Sequence, residues 1–404
     1  MKQSNFLGEL QTFDGHQPTV TNRVSAGIEY PQVEGEFWTS SQRQGLNLHE
    51  ISYRACFKPQ LPAYFISRFS KPGDLIYDPF AGRGTTLVEA GVMGRRIVMN
   101  DINPLSIVFT KPRLEFPDLD EISRRLSLIP TTTANKSSID LSMFFEKNTL
   151  GEILALQDYL ENVRSTGRED DVDRWIRMVA TNRLTGHSPG FFSVYTMPPN
   201  QAVSAKRQLK INETRNQVPE YRDVKKLILK KSKQLQKGIS LDQVSNLRNA
   251  AKTAKYFDTD ASQTSQIEQE SVQLTVTSPP FLDIVQYSDD NWMRGWFNQI
   301  DMTSVAAKIT MSKTLEQWND KMSSVFTELF RITKPGGFIA FEVGEVRNGK
   351  VKLEDAVVPL GQMAGFKTLG TLINTQNFTK TSNIWGISNN TGGTNSNRVV
   401  IFTK

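Results

Sequence analysis

The sequence predicts an α/β fold built on a Rossmann-like, doubly wound sheet and interrupted by a largely helical insertion. Three observations carry this prediction. An apolar segment, DLIYDPF (74–80), runs into a glycine-containing turn and then a helical pattern. A second apolar segment, RRIVMND (95–101), follows that helix and ends in an acid. After a long polar stretch, the strand pattern returns from residue 255 onward. Strand, turn, helix, strand and acid in this order are typical of the first half of a nucleotide-binding sheet.

The chain of 404 residues is long enough for two or three domains. Residues 1–48 are polar, and we expect them to form an N-terminal arm with little regular structure. Residues 49–117 and 251–404 carry the sheet pattern and are predicted to form one catalytic domain. Residues 118–250 lie between them as an inserted, helical and basic region.

The remaining elements follow from hydrophobic periodicity. LPAYFISRF (61–69) has a helical pattern and VQLTV (272–276) alternates like a strand. SSVFTELFRITKPGGFIAFEV (323–343) predicts a helix, a Pro-Gly-Gly turn and a strand. NRVVIFTK (397–404) is predicted to be the last strand of the sheet.

The insertion combines helical periodicity with positive charge. GEILALQDYLENV (151–163) and DVKKLILKKSKQLQKG (223–238) are amphipathic. Residues 206 to 255 contain fourteen Lys or Arg against four acids. Such a run is often only the solvated face of a helix, but its place inside an insertion favours a nucleic-acid surface. The predicted phosphate contacts are Lys206, Arg207, Lys210, Lys225, Lys226, Lys230 and Lys231.

Composition excludes several classes of protein. The net charge of +6 and the pI near 9.2 favour a polyanionic partner. A single cysteine, Cys56, excludes internal disulfides, and the three histidines lie too far apart in sequence to suggest a metal site. No apolar stretch approaches the ~20 residues that span a bilayer, and MKQSNFLGEL is not a signal peptide. We therefore expect a soluble, cytoplasmic protein.

The glycine turn DPFAGRGTT (78–86) predicts a ligand site. Gly82 and Gly84 allow close approach of a ligand to the backbone. Leu87 stands where a dinucleotide fingerprint needs glycine, and no phosphate-binding G-x-x-x-x-G-K-[ST] loop follows. Asp101, at the end of the second strand, is placed to accept hydrogen bonds from ribose hydroxyls. Asp260, an acid at the end of a later predicted strand, is placed to meet an exocyclic amine, so an adenosyl ligand without phosphates fits these features.

The stretch TSPPF (277–281) raises a separate question, because two prolines directly follow a strand. Proline lacks an N–H and disfavours helical geometry in the preceding residue, so the stretch must be a stiff, extended turn. Such a turn is suited to holding a bound group in place.

DPFAGRGT, ND at the second strand, TSPPF and KPGG, in this order, resemble the S-adenosylmethionine-dependent DNA amino-methyltransferases. HEISYRACFKPQLPAYFI (49–66) is similar to their segment that lines the methionine end of the cofactor. The resemblance covers roughly 49–117 and 255–404. It implies a class I methyltransferase fold, S-adenosyl-L-methionine as cofactor and double-stranded DNA as partner, with a cognate restriction endonuclease as a further potential partner. The cofactor-binding residues it implies are Phe57, Lys58, Asp78, Pro79, Phe80, Gly82, Gly84, Thr85, Asp101, Ile102 and Asp260.

The same resemblance implies a catalytic loop made of Ser278, Pro279, Pro280 and Phe281. Serine in first place is similar to the cytosine-N4 group, whereas many adenine-N6 enzymes carry Asp or Asn there. A flipped base would stack on Phe281, while the Ser278 hydroxyl and the Pro279 carbonyl would accept the hydrogens of its amine. This chemistry needs no cysteine nucleophile, so Cys56 is expected to serve in packing.

The family also carries a variable target-recognition region, and in this chain only the segment 182–212 is large enough for it. Within it, Arg183 is a predicted DNA contact. His187 is either a base or phosphate contact or a hydrogen-bonded structural histidine. The alternatives to a cytosine-N4 enzyme are an adenine-N6 DNA methyltransferase, an RNA base methyltransferase and a catalytically inactive DNA-binding protein. The oligomeric state stays open.

Overall fold

The structure is a computed structural model, and it describes residues 3–10, 12, 15–38, 45–53, 56–197, 202–280, 287–309, 312, 314–346, 351–375 and 396–404. The strands are β1 (Thr19–Ser25), β2 (Ile28–Gly35), β3 (Leu75–Asp78), β4 (Arg96–Asn100), β5 (Lys255–Phe257), β6 (Val272–Thr277), β7 (Thr333–Val343), β8 (Glu345–Val346), β9 (Val351–Lys352), β10 (Lys367–Thr375) and β11 (Ser396–Thr403). The helices are α1 (Gln3–Glu9), α2 (Gln60–Phe69), α3 (Thr85–Val92), α4 (Leu105–Glu115), α5 (Leu119–Leu128), α6 (Lys147–Ser165), α7 (Asp171–Arg183), α8 (Ala205–Thr214), α9 (Val224–Gln236), α10 (Leu241–Thr253), α11 (Tyr287–Asp290), α12 (Trp292–Asn298), α13 (Met302–Lys308), α14 (Leu315–Ile332) and α15 (Leu353–Met363). A 3₁₀ turn spans Asn47–His49.

A nine-stranded sheet forms the centre of the described residues. Its strand order is β1-β2-β10-β11-β7-β6-β3-β4-β5. Strands β5, β4, β3, β6 and β7 are mutually parallel, whereas β11 runs antiparallel to both of its neighbours. Because β3 lies beside both β4 and β6, the chain leaves β3 in one direction along the sheet and later returns on its other side. This is the doubly wound α/β architecture that the sequence predicts, and the prediction is confirmed.

Helices pack on both faces of the sheet. Successive strand residues point to opposite sides, so one strand can contact a helix on each face. Phe69 of α2 stacks on Phe338 of β7 with ring centroids 4.7 Å apart. On the other face, Phe326 of α14 packs on Phe341 of the same strand at 4.8 Å. Helices therefore pack on both faces of the sheet, and a cleft is open at the strand ends.

The N-terminal segment corrects one expectation. Residues 1–48 were expected to lack regular structure, but β1 and β2 form a hairpin at the edge of the sheet. Strand β2 pairs in parallel with β10, with Thr371 opposite Gln32. The segment reads as polar because β1 is an edge strand whose side chains are mostly exposed. Strand β10, with which β2 pairs, lies more than three hundred residues away in sequence, so local patterning does not predict this pairing.

The insertion comprises the helices α5 to α9. Helix α10, which the sequence assigns mainly to the insertion, instead packs on α3 and α4. The Asn246 Nδ2 donates to the Val92 carbonyl at 3.0 Å, and Leu247 lies against Gly91. Helix α10 therefore acts as the crossover helix before β5. None of the described helices is long and apolar enough to cross a bilayer.

Candidate active site

A cleft opens at the carboxyl ends of β3, β4 and β6, the edge at which doubly wound sheets bind their ligands. Because these strands are parallel, their last residues meet at one side of the sheet. The cleft brings together eight of the fifteen residues that the sequence assigns to cofactor binding and catalysis. They are Pro79, Phe80, Gly82, Asp101, Ile102, Asp260, Ser278 and Pro280.

Asp101 is fixed within this cleft by backbone groups. Its Oδ2 accepts the Gly82 N–H at 2.7 Å, and its Oδ1 accepts the Asn103 N–H at 2.9 Å. Burial raises the pKa of this carboxyl, while the backbone hydrogen bonds oppose the rise. Each oxygen of a carboxylate has room for more than one hydrogen bond. Asp101 therefore retains acceptor capacity towards the cleft after it has ordered the glycine turn.

Asp78 lies beneath the cleft rather than on its wall. It is buried, and its Oδ1 accepts the Thr277 hydroxyl at 2.6 Å and the Phe80 N–H at 3.1 Å. Burial raises the pKa of Asp78 to about 7, and the hydrogen bond from Thr277 opposes this rise. The side chain thus joins the end of β3 to the end of β6. In this position Asp78 links the glycine turn to β6, and its contact with the cofactor stays a prediction.

Gly84 and Thr85 also serve the packing of the turn. Gly84 has φ +75°, and a Cβ at this position would collide with the side chain of Thr110. Thr85 is buried, and its hydroxyl accepts the Nε–H of Arg83 at 3.1 Å. Neither residue lines the cleft, and the same is true of the predicted Phe57 and Lys58.

The segment that precedes α2 is held in place by three arginines, of which Arg113 and Arg294 are buried and Arg83 is partly buried. Arg83 donates to the Ile51 carbonyl at 2.9 Å, and Arg294 donates to the Ser52 carbonyl at 2.9 Å. Arg113, which is fully buried, donates to the Leu48 carbonyl at 3.3 Å. These contacts present one member of the segment, Tyr53, to the cleft.

Cys56 lies near the glycine turn, with its Sγ 3.9 Å from where a Cβ on Gly82 would stand. Burial raises the pKa of this thiol, and the neighbouring Arg83 opposes the rise. A thiol kept protonated is a poor nucleophile. This setting agrees with the expectation that Cys56 serves in packing.

The Ser278-Pro279-Pro280 loop, which the sequence predicts to be catalytic, is anchored from two directions. Ser278 hydrogen-bonds the side chain of Glu342, a buried residue of β7 whose pKa is raised by burial and lowered in part by that bond. The Nε1 of Trp318 donates to the Pro280 carbonyl at 2.9 Å. Pro279 is buried, and Phe281 lies outside the described residues.

Asp260 lines the cleft but is already engaged. Its Oδ2 pairs with Lys321 of α14, and its Oδ1 accepts the Ser262 N–H at 2.9 Å. Burial raises the pKa of Asp260, but the bonds from Lys321 and Ser262 outweigh burial and lower it. It lies three residues past β5 rather than at the strand end, so it faces the cleft from a turn.

The nine predicted DNA contacts divide by exposure. Lys206, Arg207 and Lys210 are exposed on α8, and Lys226 and Lys230 are exposed on α9. Lys225 is half-buried, and its Nζ donates to the Ile129 carbonyl. His187 is partly buried with its ring 6.0 Å from that of Phe191, which fits the structural alternative.

Two of these predictions are corrected. Arg183 is buried, with its guanidinium 4.0 Å from the Phe191 ring, and burial lowers its pKa to about 10. Lys231 is 6% exposed, and its Nζ pairs with Glu50 at 3.2 Å. A side chain enclosed in this way is not available to a phosphate group. Helical periodicity places both on the inner face of their helices, which a count of charges does not reveal.

Three residues of the site were not singled out by the sequence. Tyr53 lies in the segment that the resemblance points to, but its side chain was not named. The sequence around Trp318 indicates only an amphipathic helix, and the sequence around Glu342 indicates a buried strand of the core. Each reaches the cleft or its loop through tertiary packing, so no local signal marks it. Within the described residues there is no group of three His, Cys, Asp or Glu side chains that could hold a metal ion.

Comparison with known proteins finds similarity in the first part of the chain. Residues 4–107 match the family model described as DNA methylase. The Type II methyltransferase M.MjaII of Methanocaldococcus jannaschii is 35% identical over 88 residues, which are 22% of this chain and 17% of that protein. The chain therefore spans only a small part of the length of this relative. The resemblance to the DNA amino-methyltransferases is confirmed by these two matches, while the TSPPF loop lies outside the family match.

Two solved structures extend over more of the chain. The rRNA methyltransferase AviRa of Streptomyces viridochromogenes is 9% identical, with 91% of this chain and 94% of that chain covered and a TM-score of 0.36. A TehB-like SAM-dependent methyltransferase of Corynebacterium glutamicum is 8% identical, with 85% and 86% covered and a TM-score of 0.31. Both scores are below 0.5.

Proposed function

We propose that this chain is an S-adenosylmethionine-dependent DNA methyltransferase that modifies the exocyclic N4 amine of cytosine in duplex DNA. One observation carries the proposal: the Ser-Pro-Pro loop opens into the same cleft as the glycine turn and Asp101. A methyl donor and a base amine must meet within a few ångströms for transfer to occur. The DNA methylase match over residues 4–107 supports the same conclusion.

The cleft has the features that an adenosyl group requires. Asp101 has acceptor capacity for ribose hydroxyls, and Tyr53, Phe80 and Ile102 provide aromatic and apolar walls. Gly82 keeps its N–H bound to Asp101 and places no side chain in the cleft. When bound, S-adenosylmethionine supplies an electrophilic methyl group. The residues of this chain would hold its adenosine in the cleft, with the ribose hydroxyls against Asp101.

The loop would position the amine. We assign the Ser278 hydroxyl as the donor in its hydrogen bond with Glu342, whose pKa is raised by burial and lowered in part by this bond. This orientation leaves the oxygen lone pairs of Ser278 to accept a base N–H. The Pro279 carbonyl offers a second acceptor on a backbone that two prolines make stiff. Phe281 would stack on the flipped base, a contact worth ~1–3 kcal/mol in single-stranded complexes.

DNA would lie over the exposed cations of the insertion. We assign phosphate contacts to Lys226 and Lys230 of α9 and to the exposed α8 residues Lys206, Arg207 and Lys210. A positive surface of this kind supplies affinity without reading sequence. The segment 182–212 is proposed as the target-recognition region.

The test is to incubate the purified protein with mixed-sequence duplex DNA and deuterated S-adenosylmethionine, and then to resolve the nucleosides by mass spectrometry. We expect deuterated N4-methylcytosine. N6-methyladenine as the product would overturn the choice of base, and 5-methylcytosine would overturn the mechanism. A parallel incubation with RNA tests the RNA alternative, since label incorporated into RNA but not DNA would favour an RNA enzyme. Binding of DNA in a gel-shift assay without label in either nucleic acid would identify a binding protein.

A further inference from the structure

The Ser278-Pro279-Pro280 loop cannot anchor itself. Two of its three residues are prolines and have no N–H to donate, so beyond the Ser278 N–H the loop can be held only through its carbonyls and the serine side chain. Glu342 holds the serine from the strand side. The Pro280 carbonyl is held by the indole N–H of Trp318, with 2.9 Å between the heavy atoms.

Trp318 is a rigid anchor for this contact. It lies in the first turn of α14, and only 2% of its surface is exposed. Its ring packs in the core cluster that contains Met322, Val325 and Phe326. A buried indole N–H needs an acceptor, and the Pro280 carbonyl provides one. The position of the loop is therefore tied to a helix that is itself fixed on the sheet.

Trp318 also lines the cleft, together with Met322 and Lys321 of the same helix. One side chain thus touches both the space assigned to the cofactor and the loop assigned to the base. We propose that Trp318 is a positioning residue for methyl transfer, whose indole N–H fixes the Pro280 carbonyl and so sets the position of Ser278 within the cleft. This inference rests on the proposed function, because it concerns the geometry of that same site.

The direct test is Trp318→Phe, which keeps an aromatic ring and removes the N–H. Trp292→Phe is the matched control, because the Nε1 of Trp292 also donates to a backbone carbonyl, that of Val203 at 3.2 Å. We expect the single-turnover methylation rate of Trp318→Phe to fall roughly tenfold, equivalent to about 1.4 kcal/mol in the barrier. Its Kd for S-adenosylmethionine and its KM for DNA should stay within about twofold, as expected when a variant removes an interaction made mainly in the transition state.

A second variant distinguishes loss of the hydrogen bond from a packing defect. Benzothienylalanine at position 318, introduced by stop-codon suppression, keeps the bicyclic shape and replaces only the N–H by sulfur. The same rate loss in both variants, with full activity in Trp292→Phe, supports the inference. An unchanged single-turnover rate in the benzothienylalanine variant overturns it while leaving the proposed function intact. Absence of methylation by the wild-type protein instead refutes the proposed function, and this inference with it.

Discussion

The cleft and the inserted helices are predicted from different kinds of sequence pattern. The residues predicted for the cleft lie together in the structure, whereas the cations predicted for the insertion differ in exposure. In the cleft, the predicted residues Gly82, Asp101 and Ser278 converge at one edge of the sheet. In the insertion, the predicted cations divide, with Lys226 and Lys230 exposed and Lys231 enclosed. Both predictions rest on short stretches of sequence. The prediction for the cleft rests on backbone geometry, and the prediction for the insertion rests on charge alone.

The difference lies in what each pattern constrains. A glycine turn after a strand, or two prolines after another, restricts the backbone, and parallel strands then bring their ends together. A run of lysines restricts only composition, and the helical period decides which of them faces water. Backbone signals therefore place residues in space, whereas charge signals give only the sign of a surface.

The largest effect is expected at the catalytic loop. Ser278→Ala removes the hydroxyl that bonds Glu342 and that would accept the base amine. We expect the single-turnover methylation rate to fall about 100-fold, the scale of a loss of alignment in an active site. Ser271→Ala, at the other end of β6, is the control, since its hydroxyl bonds only locally to the Glu268 carbonyl at 2.7 Å. Equal rates in the two variants would remove Ser278 from the mechanism.

The next effect concerns the cofactor. Asp101→Ala removes both an acceptor for ribose and the bond that orders the Gly82 N–H. We expect weaker binding of S-adenosylmethionine by roughly 1–3 kcal/mol, measured by calorimetry. Asp120→Ala, which removes an exposed carboxylate on α5, should leave the affinity unchanged. If Asp101→Ala binds like the wild type, the ribose assignment is wrong and the acid only orders the turn.

A smaller effect sharpens the comparison in the insertion. Lys226→Gln combined with Lys230→Gln should flatten the log–log salt dependence of DNA affinity by about 1.8, at about 0.9 for each phosphate that the variant no longer neutralises. The control pair is Lys252→Gln with Lys255→Gln, which removes the same charge. Lys255 begins β5 at the sheet edge opposite the cleft, and both lysines are exposed. Equal flattening by both pairs would mean that net charge, rather than the α9 surface, determines the slope.

The sequence predicts the parts of the molecule whose residues restrict their own backbone, and it misses the parts that depend on tertiary packing. Strands β3, β4 and β6 and the helices that follow the glycine turn are predicted by local periodicity, and so are the loop residues that restrict their own backbone. Trp318 and Glu342 are not predicted, because their place beside the loop depends on how α14 and β7 pack on β6. The pairing of β2 with β10 is missed for the same reason, since the two strands are distant in sequence.

The smallest effect on DNA binding is expected at Lys231, the lysine that the charge pattern misplaces. Its Nζ lies 3.2 Å from both Glu50 and Gln234, so Lys231→Gln should lower the unfolding free energy by about 1 kcal/mol while Glu50 stays solvated. The salt dependence of DNA affinity should not change, because the wild-type side chain does not reach a phosphate. Its exposed neighbour provides the contrast: Lys230→Gln should alter stability by less than about 0.5 kcal/mol and reduce the slope by about 0.9. Urea denaturation and salt titration of both variants measure the two quantities side by side. If Lys231→Gln flattened the slope and left stability unchanged, the lysine would leave its buried pair to contact DNA, and the charge pattern would have predicted its role correctly.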